Sequence, residues 1–248
     1  MFPKELHIDV TNHCNKACSI CPMRNRYNEN IFPLGFMDME LFKDIIDECK
    51  AYLERPELTL HKDGEPLLHP RIAEMVRYAK VKGCFTHFAT NGILLAKRKR
   101  EVIDSGLDLL TISITDTVPV ESIKAFMDYK GDRLPFTQIK SFNGRSDFPK
   151  VDKVIHSEIH EWTDSPSRET RMPCSKLLTS AAITWDGYYC LCCVDYKREM
   201  APLNIKTTSI KEAWEFSKMI YKAQNEGIFF PPCKTCNYWT EHERTLSE

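Results

Sequence analysis

The chain has 248 residues, of which 42% are hydrophobic and 28% charged, enough for one larger domain with a small appendage. Its formal net charge is −1, whereas a domain that binds nucleic acid through its phosphates is normally basic. No apolar run approaches the roughly 20 residues that span a bilayer, and the first residues lack a signal-peptide pattern. We therefore expect a cytoplasmic protein with no nucleic-acid or membrane partner.

Strand and helix patterns alternate along the first 142 residues, which indicates parallel βα units. Strands are predicted at 5–10, 57–61, 85–89, 109–114 and 138–142, and helices at 37–53, 70–82, 95–105 and 120–129. Functional loops of such folds gather at the C-terminal ends of the strands. A cysteine-rich loop, an Asp-Gly-Glu-Pro segment and a Thr-Asn-Gly segment each follow a predicted strand, so we expect them to form one site.

The pattern changes after the fifth predicted strand. Residues 146–171 are polar, with several prolines and serines, and are predicted to be a linker or a loop over the site. Two short apolar runs around Asp186-Gly187 then predict a β-hairpin, and Ser209 with Glu212 predicts a capped helix. We therefore divide the chain into residues 1–145, the linker 146–171, and a C-terminal unit of residues 172–248.

Eleven cysteines are the compositional outlier, and structural disulfides are rare in a reducing cytosol. Nine of them fall into three short groups, at 14–21, 174–193 and 233–236. Several thiolates must converge on one small object when they bind a metal or a cluster. The grouping therefore favours metal coordination.

The first group has C-x3-C-x2-C spacing and consists of Cys14, Cys18 and Cys21. Three thiolates can hold three irons of a [4Fe–4S] cube and leave the fourth iron open to a small chelating molecule. The alternative is a zinc site completed by His13 or another residue, although zinc loops favour C-x2-C pairs and four protein ligands.

This spacing directly after a first β-strand resembles the radical S-adenosylmethionine (SAM) superfamily. The resemblance implies an α/β fold with a partial (β/α)6 TIM-like barrel, in which SAM chelates the open iron. It further implies that SAM is cleaved reductively to methionine and a 5′-deoxyadenosyl radical, which abstracts a hydrogen from a small-molecule substrate. An external one-electron reductant such as flavodoxin or ferredoxin is implied as a partner.

The second strand is followed by Gly64, Glu65 and Pro66, which resemble the end of the family's Gly-Gly-Glu-Pro motif. In the family this motif holds the amino group of SAM. The first glycine is replaced here by Asp63. Backbone carbonyls and the Glu65 carboxylate still provide the acceptors that an ammonium group needs.

Other SAM contacts are implied by position. Thr90 and Asn91 follow the third strand, and Ser113 lies on the fourth strand, where the family often contacts the ribose. Ile20 occupies the place before the third cysteine, where the family usually has an aromatic residue near the adenine. Turn formation and strand-end capping are the alternative roles for Thr90, Asn91 and Ser113.

The C-terminal cysteines resemble the short "twitch" version of the SPASM domain, with a β-hairpin and a helix between them. The resemblance implies a second, auxiliary [4Fe–4S] cluster with four ligands, which are Cys174, Cys192, Cys233 and Cys236. Cys190 and Cys193 lie on the same hairpin and remain alternatives; strand alternation would put Cys190 and Cys192 on one face. A structural zinc site is the other interpretation of this group.

The layout of one barrel and one twitch unit resembles family members that oxidise a sugar- or cyclitol-like substrate. Arg145, after the fifth strand, is the candidate catalytic residue. Its guanidinium is too weak a base to accept a proton, so it would orient a hydroxyl or a carboxylate; a surface-loop role is the alternative.

Three other functions remain open at this stage. Many SPASM enzymes crosslink peptides, and an epimerase would need a hydrogen donor such as an unligated Cys84, Cys190 or Cys193. A zinc-stabilised binding module is the alternative that is not an enzyme.

Overall fold

The computed structural model describes residues 2–23, 32–145, 148, 151–156, 172–234 and 236. Within these ranges the strands are β1 Glu5–Ile8, β2 Glu57–Thr59, β3 Phe85–Thr90, β4 Leu109–Ile114, β5 Phe136–Ser141, β6 Lys153–His156, β7 Ser180–Ile183, β8 Tyr188–Cys190 and β9 Leu203–Asn204. The helices are α1 Met39–Tyr52, α2 Ile72–Val81, α3 Leu95–Asp104, α4 Val120–Lys130, α5 Ile210–Asn225 and α6 Pro231–Lys234.

All these strands belong to one sheet, in the order β6-β5-β4-β3-β2-β1-β7-β8-β9. Strands β1 to β7 pair in parallel, and β8 and β9 continue the sheet in antiparallel fashion. The sheet is not closed, because β6 and β9 lie at its two edges. This architecture confirms the predicted α/β fold with a partial barrel.

The sheet crosses both predicted boundaries. Lys153–His156 lies inside the predicted linker, yet it forms β6 and pairs in parallel with β5. The C-terminal unit joins the barrel directly, since Ala181 of β7 lies opposite Leu6 of β1. The rest of the linker, residues 157–171, and the end of the C-terminal unit, residues 237–248, lie outside the described residues.

The two faces of the sheet differ in polarity. On β3, Thr86 and Phe88 point toward the helices and are fully buried, whereas His87 and Ala89 point inward and are only half-buried. Closed (β/α)8 barrels fill their interior with packed side chains. Here the inward side chains stay accessible, and we call the space they enclose the lumen.

The outer face carries the hydrophobic core. Helix α1 begins at Asp38, whose carboxylate accepts a hydrogen bond from the Glu40 amide at 2.8 Å. Its buried side chains, including Phe42 and Ile46, pack in the same cluster as Leu58 of β2. Among the described helices, none combines the length and the apolar composition needed to cross a bilayer.

Helix α5 is tied to the barrel through its N-terminus. Ser209 and Glu212 form the predicted capping box. The first amides of the helix, of Ile210 and Lys211, donate to the two carboxylate oxygens of Glu48 on α1, both at 2.9 Å. Glu48 therefore satisfies helix-terminal donors that have no partner within their own helix.

Replacing Glu48 by alanine should lower the free energy of unfolding by about 1 kcal/mol, because both amides lose their acceptor. The matched control is Glu40→Ala on the same helix, whose exposed carboxylate pairs with Lys43 and should contribute less than about 0.5 kcal/mol. Chemical denaturation of the three proteins measures the difference. Equal losses in the two variants would contradict the contact between α1 and α5.

Candidate active site and auxiliary cysteine pocket

The cysteine loop leaves the C-terminal end of β1 and is held at its start by residues 33–37. The Thr11 hydroxyl donates to the Gly35 carbonyl at 2.7 Å. The Asn12 side chain accepts from the Gly35 amide at 2.9 Å and donates to the Pro33 carbonyl at 2.9 Å. These buried contacts fix where the loop departs from the sheet.

The far side of the loop is held by residues that follow β4. The Lys16 ammonium donates to Thr115 Oγ1 at 2.9 Å, and the Ser19 amide donates to Asp116 at 2.8 Å. The Thr115 hydroxyl in turn donates to Cys18 Sγ at 3.2 Å. The sequence analysis missed Thr115 and Asp116, although their place directly after a strand was the available signal.

The three cysteines of the loop are near neighbours. Burial, together with smaller contributions from the nearby Cys18 and Cys14, raises the pKa of the Cys21 thiol to about 11. Burial also raises the pKa of Cys14, while the Asn91 side chain acts against this rise by hydrogen bonding to its sulfur. Three converging sulfurs with one neighbouring hydroxyl fit an iron–sulfur cluster that has one iron left open.

Gly64 is required by the close approach of two backbones. A Cβ atom at this position would lie 2.1 Å from the Thr11 carbonyl oxygen and 2.6 Å from that of His13. The Glu65 amide donates to the same His13 carbonyl at 2.7 Å. The motif after β2 is therefore pressed directly against the cysteine loop.

The Glu65 carboxylate is buried and already has three protein donors. It accepts from the Thr90 hydroxyl at 2.7 Å, from the Asn91 amide at 2.7 Å and from the Leu67 amide at 3.0 Å. A carboxylate offers about four acceptor positions, so one remains for a ligand. Glu65 thus positions Thr90 and Asn91, and the Asn91 side chain donates to Asn15 of the cysteine loop at 2.7 Å.

The aspartate that replaces the first glycine of the motif pairs with its neighbour. The Lys62 ammonium lies 2.8 Å from the Asp63 carboxylate, and both side chains are almost completely buried. The ammonium also donates to the Asp195 carbonyl at 3.3 Å. Burial alone would lower the pKa of Lys62, but Asp63 raises it, so the lysine stays charged. This ion pair links the motif to the loop that follows Cys192 and Cys193.

The remaining predicted residues lie around the same end of the barrel. Pro66 starts a short 3-10 turn that Glu65 caps. Ser113 is half-buried on the lumen-facing side of β4, and Ile20 is half-buried in the cysteine loop. Arg145 lies in the loop after β5, with its guanidinium 5.6 Å from the centre of the Phe148 ring.

A second pocket lies in the C-terminal unit and opens to solvent, with a volume of about 560 Å³ that includes part of this solvent. Four cysteines line it, namely Cys174, Cys192, Cys233 and Cys236. The other lining residues are mainly apolar and include Leu177 and Leu191. Burial raises the pKa of Cys192 strongly, and the thiols of Cys233 and Cys236 add to this rise. Four sulfurs around an apolar space fit a fully ligated iron–sulfur cluster.

The two alternative hairpin cysteines lie elsewhere. Cys190 is the last residue of β8, lies opposite Ala182, and is completely buried beside Lys62. Strand alternation therefore stops before Cys192, and the expectation that Cys190 and Cys192 share a face was wrong. Cys193 is likewise absent from the lining of the pocket. Among the described residues, no three His, Cys, Asp or Glu side chains form a site for a single metal ion.

Cys84, a candidate hydrogen donor for an epimerase, is buried in the hydrophobic core. It belongs to the same cluster as Cys49 of α1, on the helix side of the sheet. Burial raises the pKa of its thiol to about 11. Its position away from the lumen removes it from the candidate site.

Comparison with known proteins agrees with this arrangement. The profile of the radical SAM superfamily matches residues 8–133, and that of an iron–sulfur cluster-binding domain matches residues 174–237. The chain therefore belongs to the radical SAM superfamily, and its cofactors are SAM and [4Fe–4S] clusters.

Individual relatives match different lengths of the chain. A tungsten-containing aldehyde ferredoxin oxidoreductase cofactor-modifying protein of Pyrococcus furiosus is 33% identical over 117 residues, which are 47% of this chain and 32% of that protein. The SAM-dependent 2-deoxy-scyllo-inosamine dehydrogenase of Niallia circulans is 23% identical over 94% of this chain and 92% of that enzyme. This match over almost the whole of both chains confirms the predicted likeness in layout to family members that oxidise a cyclitol-like substrate.

Solved structures show the same fold. BtrN in complex with AdoMet and 2-DOIA superposes with a TM-score of 0.67 at 18% identity, covering 96% of this chain and 94% of that one. By contrast, the chain spans only about a third of the length of the first curated relatives that it matches.

Replacing Gly64 by alanine should weaken SAM binding by about tenfold or more, because the new methyl group overlaps the Thr11 carbonyl and must displace the loop. The control is Gly227→Ala, where no atom lies within 4 Å and only left-handed backbone strain of about 1 kcal/mol is added. Equilibrium binding of SAM to the reconstituted proteins measures the effect. Wild-type affinity in Gly64→Ala would refute the close approach.

Proposed function

We propose that the protein is a cytoplasmic radical SAM oxidoreductase that dehydrogenates a small polar substrate of the sugar or cyclitol class. The observation that carries this proposal is the second pocket, with its four converging cysteines. Four thiolates saturate a [4Fe–4S] cube and leave no open iron, which suits electron transfer rather than substrate binding. Removal of an electron from a substrate needs such an acceptor.

In this proposal Cys14, Cys18 and Cys21 hold the SAM-binding cluster. The proximity of their thiols on one loop, where each raises the pKa of a neighbour, supports this assignment. The four pocket cysteines hold the auxiliary cluster, and Cys190 and Cys193 serve neither. When bound and reduced by a flavodoxin- or ferredoxin-like partner, the first cluster and SAM supply a 5′-deoxyadenosyl radical that takes a hydrogen atom from the substrate.

The SAM-binding residues act by fixed positioning. Gly64 lets the backbone approach the cysteine loop, and Glu65 holds Thr90 and Asn91 at the end of the neighbouring strand. The free acceptor position of Glu65 and nearby carbonyls would bind the SAM ammonium. Ser113 and Ile20 would contact the ribose and the adenine, respectively.

The substrate would occupy the lumen. The inward faces of β1 to β5 carry imidazole, hydroxyl, amide and ammonium groups, which suit a ligand with several hydroxyls. The full-length match to the enzyme named as a cyclitol dehydrogenase supports the same substrate class. Arg145 would orient a hydroxyl or a carboxylate at the mouth of the lumen, as a hydrogen-bond donor rather than a base.

Cluster content tests the ligand assignment. Anaerobically reconstituted protein should contain about eight irons, and Cys233→Ala/Cys236→Ala should contain about four. The matched control, Cys190→Ser/Cys193→Ser, should keep about eight. Chemical iron analysis with EPR spectroscopy makes the measurement, and four irons in the wild type would remove the auxiliary cluster.

Substrate oxidation tests the reaction. With 2-deoxy-scyllo-inosamine deuterated at the carbinol carbon, the wild type should transfer deuterium to 5′-deoxyadenosine and release a ketone. Cys233→Ala/Cys236→Ala should still transfer deuterium but form no ketone, because the electron acceptor is lost. Mass spectrometry follows both products. Deuterium transfer with full ketone formation in the variant would refute the role of the second cluster.

A further inference from the structure

The lumen contains three histidines whose purpose is not explained by cluster or SAM binding. His7 lies on β1, His61 follows β2, and His87 lies on β3. The His87 ring pairs with the Thr111 hydroxyl at 2.8 Å, and the His61 and His87 rings meet edge to face with centres 5.4 Å apart.

One backbone hydrogen bond determines the tautomer of His61. The Ala89 amide donates to His61 Nδ1 at 3.0 Å. A backbone amide can only donate, so Nδ1 must be the unprotonated nitrogen, and the neutral ring carries its proton on Nε2. Among the described residues, none forms a hydrogen bond with Nε2.

The surroundings of His61 keep the ring neutral. Burial lowers its pKa well below the ordinary value, and the neighbouring imidazoles of His87 and His7 and the Lys140 ammonium act in the same direction. These groups face the ring from β3, β1 and β5. Glu5, the carboxylate of the same cluster, pairs with His7 at 3.0 Å. If Nδ1 were protonated, its N–H would face the N–H of Ala89, and two hydrogen-bond donors would meet without an acceptor.

His61 comes just before the SAM-binding motif in the chain, two residues ahead of Asp63. Its ring meets the ring of His87, which is on the lumen-facing side of β3. The imidazole therefore lies in the lumen, in the segment that leads into the motif held against the cysteine loop.

We propose that His61 is a neutral hydrogen-bond donor that binds, through Nε2–H, the hydroxyl oxygen that the enzyme oxidises. The proposal rests on the proposed function and specifies how its substrate is held. A neutral donor fixed by the backbone needs no proton transfer of its own, and it binds the hydroxyl of the substrate and the carbonyl of the product equally well.

The oxidation balances with His61 unchanged. The carbinol carbon would lose a hydrogen atom to the radical derived from SAM and one electron to the acceptor held by the four pocket cysteines, and the hydroxyl proton would pass to water. The carbon–oxygen single bond becomes a double bond, and the ring keeps its Nε2 proton throughout. His61 is thereby excluded as the base, because its only unprotonated nitrogen is occupied by the Ala89 amide.

The test compares His61→Phe, which removes the donor, with His61→Gln, whose terminal amide replaces Nε2–H. Binding of 2-deoxy-scyllo-inosamine to the oxidised, SAM-loaded proteins is measured by calorimetry, which requires no turnover. His61→Phe should bind the probe about tenfold more weakly, and His61→Gln within about threefold of the wild type. SAM affinity should match the wild type in both variants, whereas the melting temperature should fall by about a few degrees in His61→Phe, because the Ala89 amide loses its acceptor.

The pH dependence adds a second readout. Because the ring is neutral, the ratio of wild-type to His61→Phe affinity should stay constant between pH 6 and 8. A ratio that falls as the pH rises through this range would show a cationic donor and overturn the proposal.

Three further outcomes separate this proposal from the proposed function. Equal binding of the probe by the wild type and His61→Phe, or equal loss in His61→Phe and His61→Gln, would refute only the role of the Nε2–H. Absence of binding to the wild type would refute the proposed substrate class itself.

Discussion

The pairing of β1 with β2 on one side and β7 on the other is the constraint on which the rest of the structure depends. Leu6 lies opposite Leu58 and Ala181, so a single register aligns the three strands. The cysteine loop follows β1, the Gly-Glu-Pro motif follows β2, and the hairpin with its cysteines follows β7. Because the three strands are parallel, these segments leave the sheet in the same direction. The two cysteine sites are therefore attached to one continuous sheet.

Buried polar contacts turn this alignment into a fixed site. The Glu65 carboxylate and the Lys62–Asp63 pair are both withdrawn from water, which is unfavourable unless each group is satisfied. Glu65 meets this demand with donors from β3 and its following turn, and Lys62 meets it with the carbonyl of Asp195. Each contact joins segments that are distant in sequence. The polar groups therefore specify the relative position of the loops.

The alternation of apolar and polar residues predicted the first five strands and the four helices between them. It missed β6, because Lys153–His156 is a four-residue edge strand within a polar stretch. The carboxylate of Asp152, just before it, accepts from the Thr137 amide at 2.6 Å. Such a strand is extended because it pairs with a neighbouring strand. The pattern of residues along the chain does not show which strand that neighbour is.

The candidate site likewise has features that the sequence predicts and features that depend on neighbouring segments of the folded chain. The sequence by itself determined the class of protein, because Cys14, Cys18 and Cys21 are close neighbours on one loop and Gly64 follows the next strand. The resemblance favoured Cys192, but the strand pattern did not separate Cys190 from Cys192, since strand alternation ends where β8 ends.

Only the tertiary structure separated these two cysteines, by placing Cys190 opposite Ala182 and Cys192 in the pocket with Cys174. It also decided the hydrogen bonding of His61. The amide that meets its ring belongs to Ala89, 28 residues away. Which strand faces a side chain depends on sheet register, and register is a property of the folded chain.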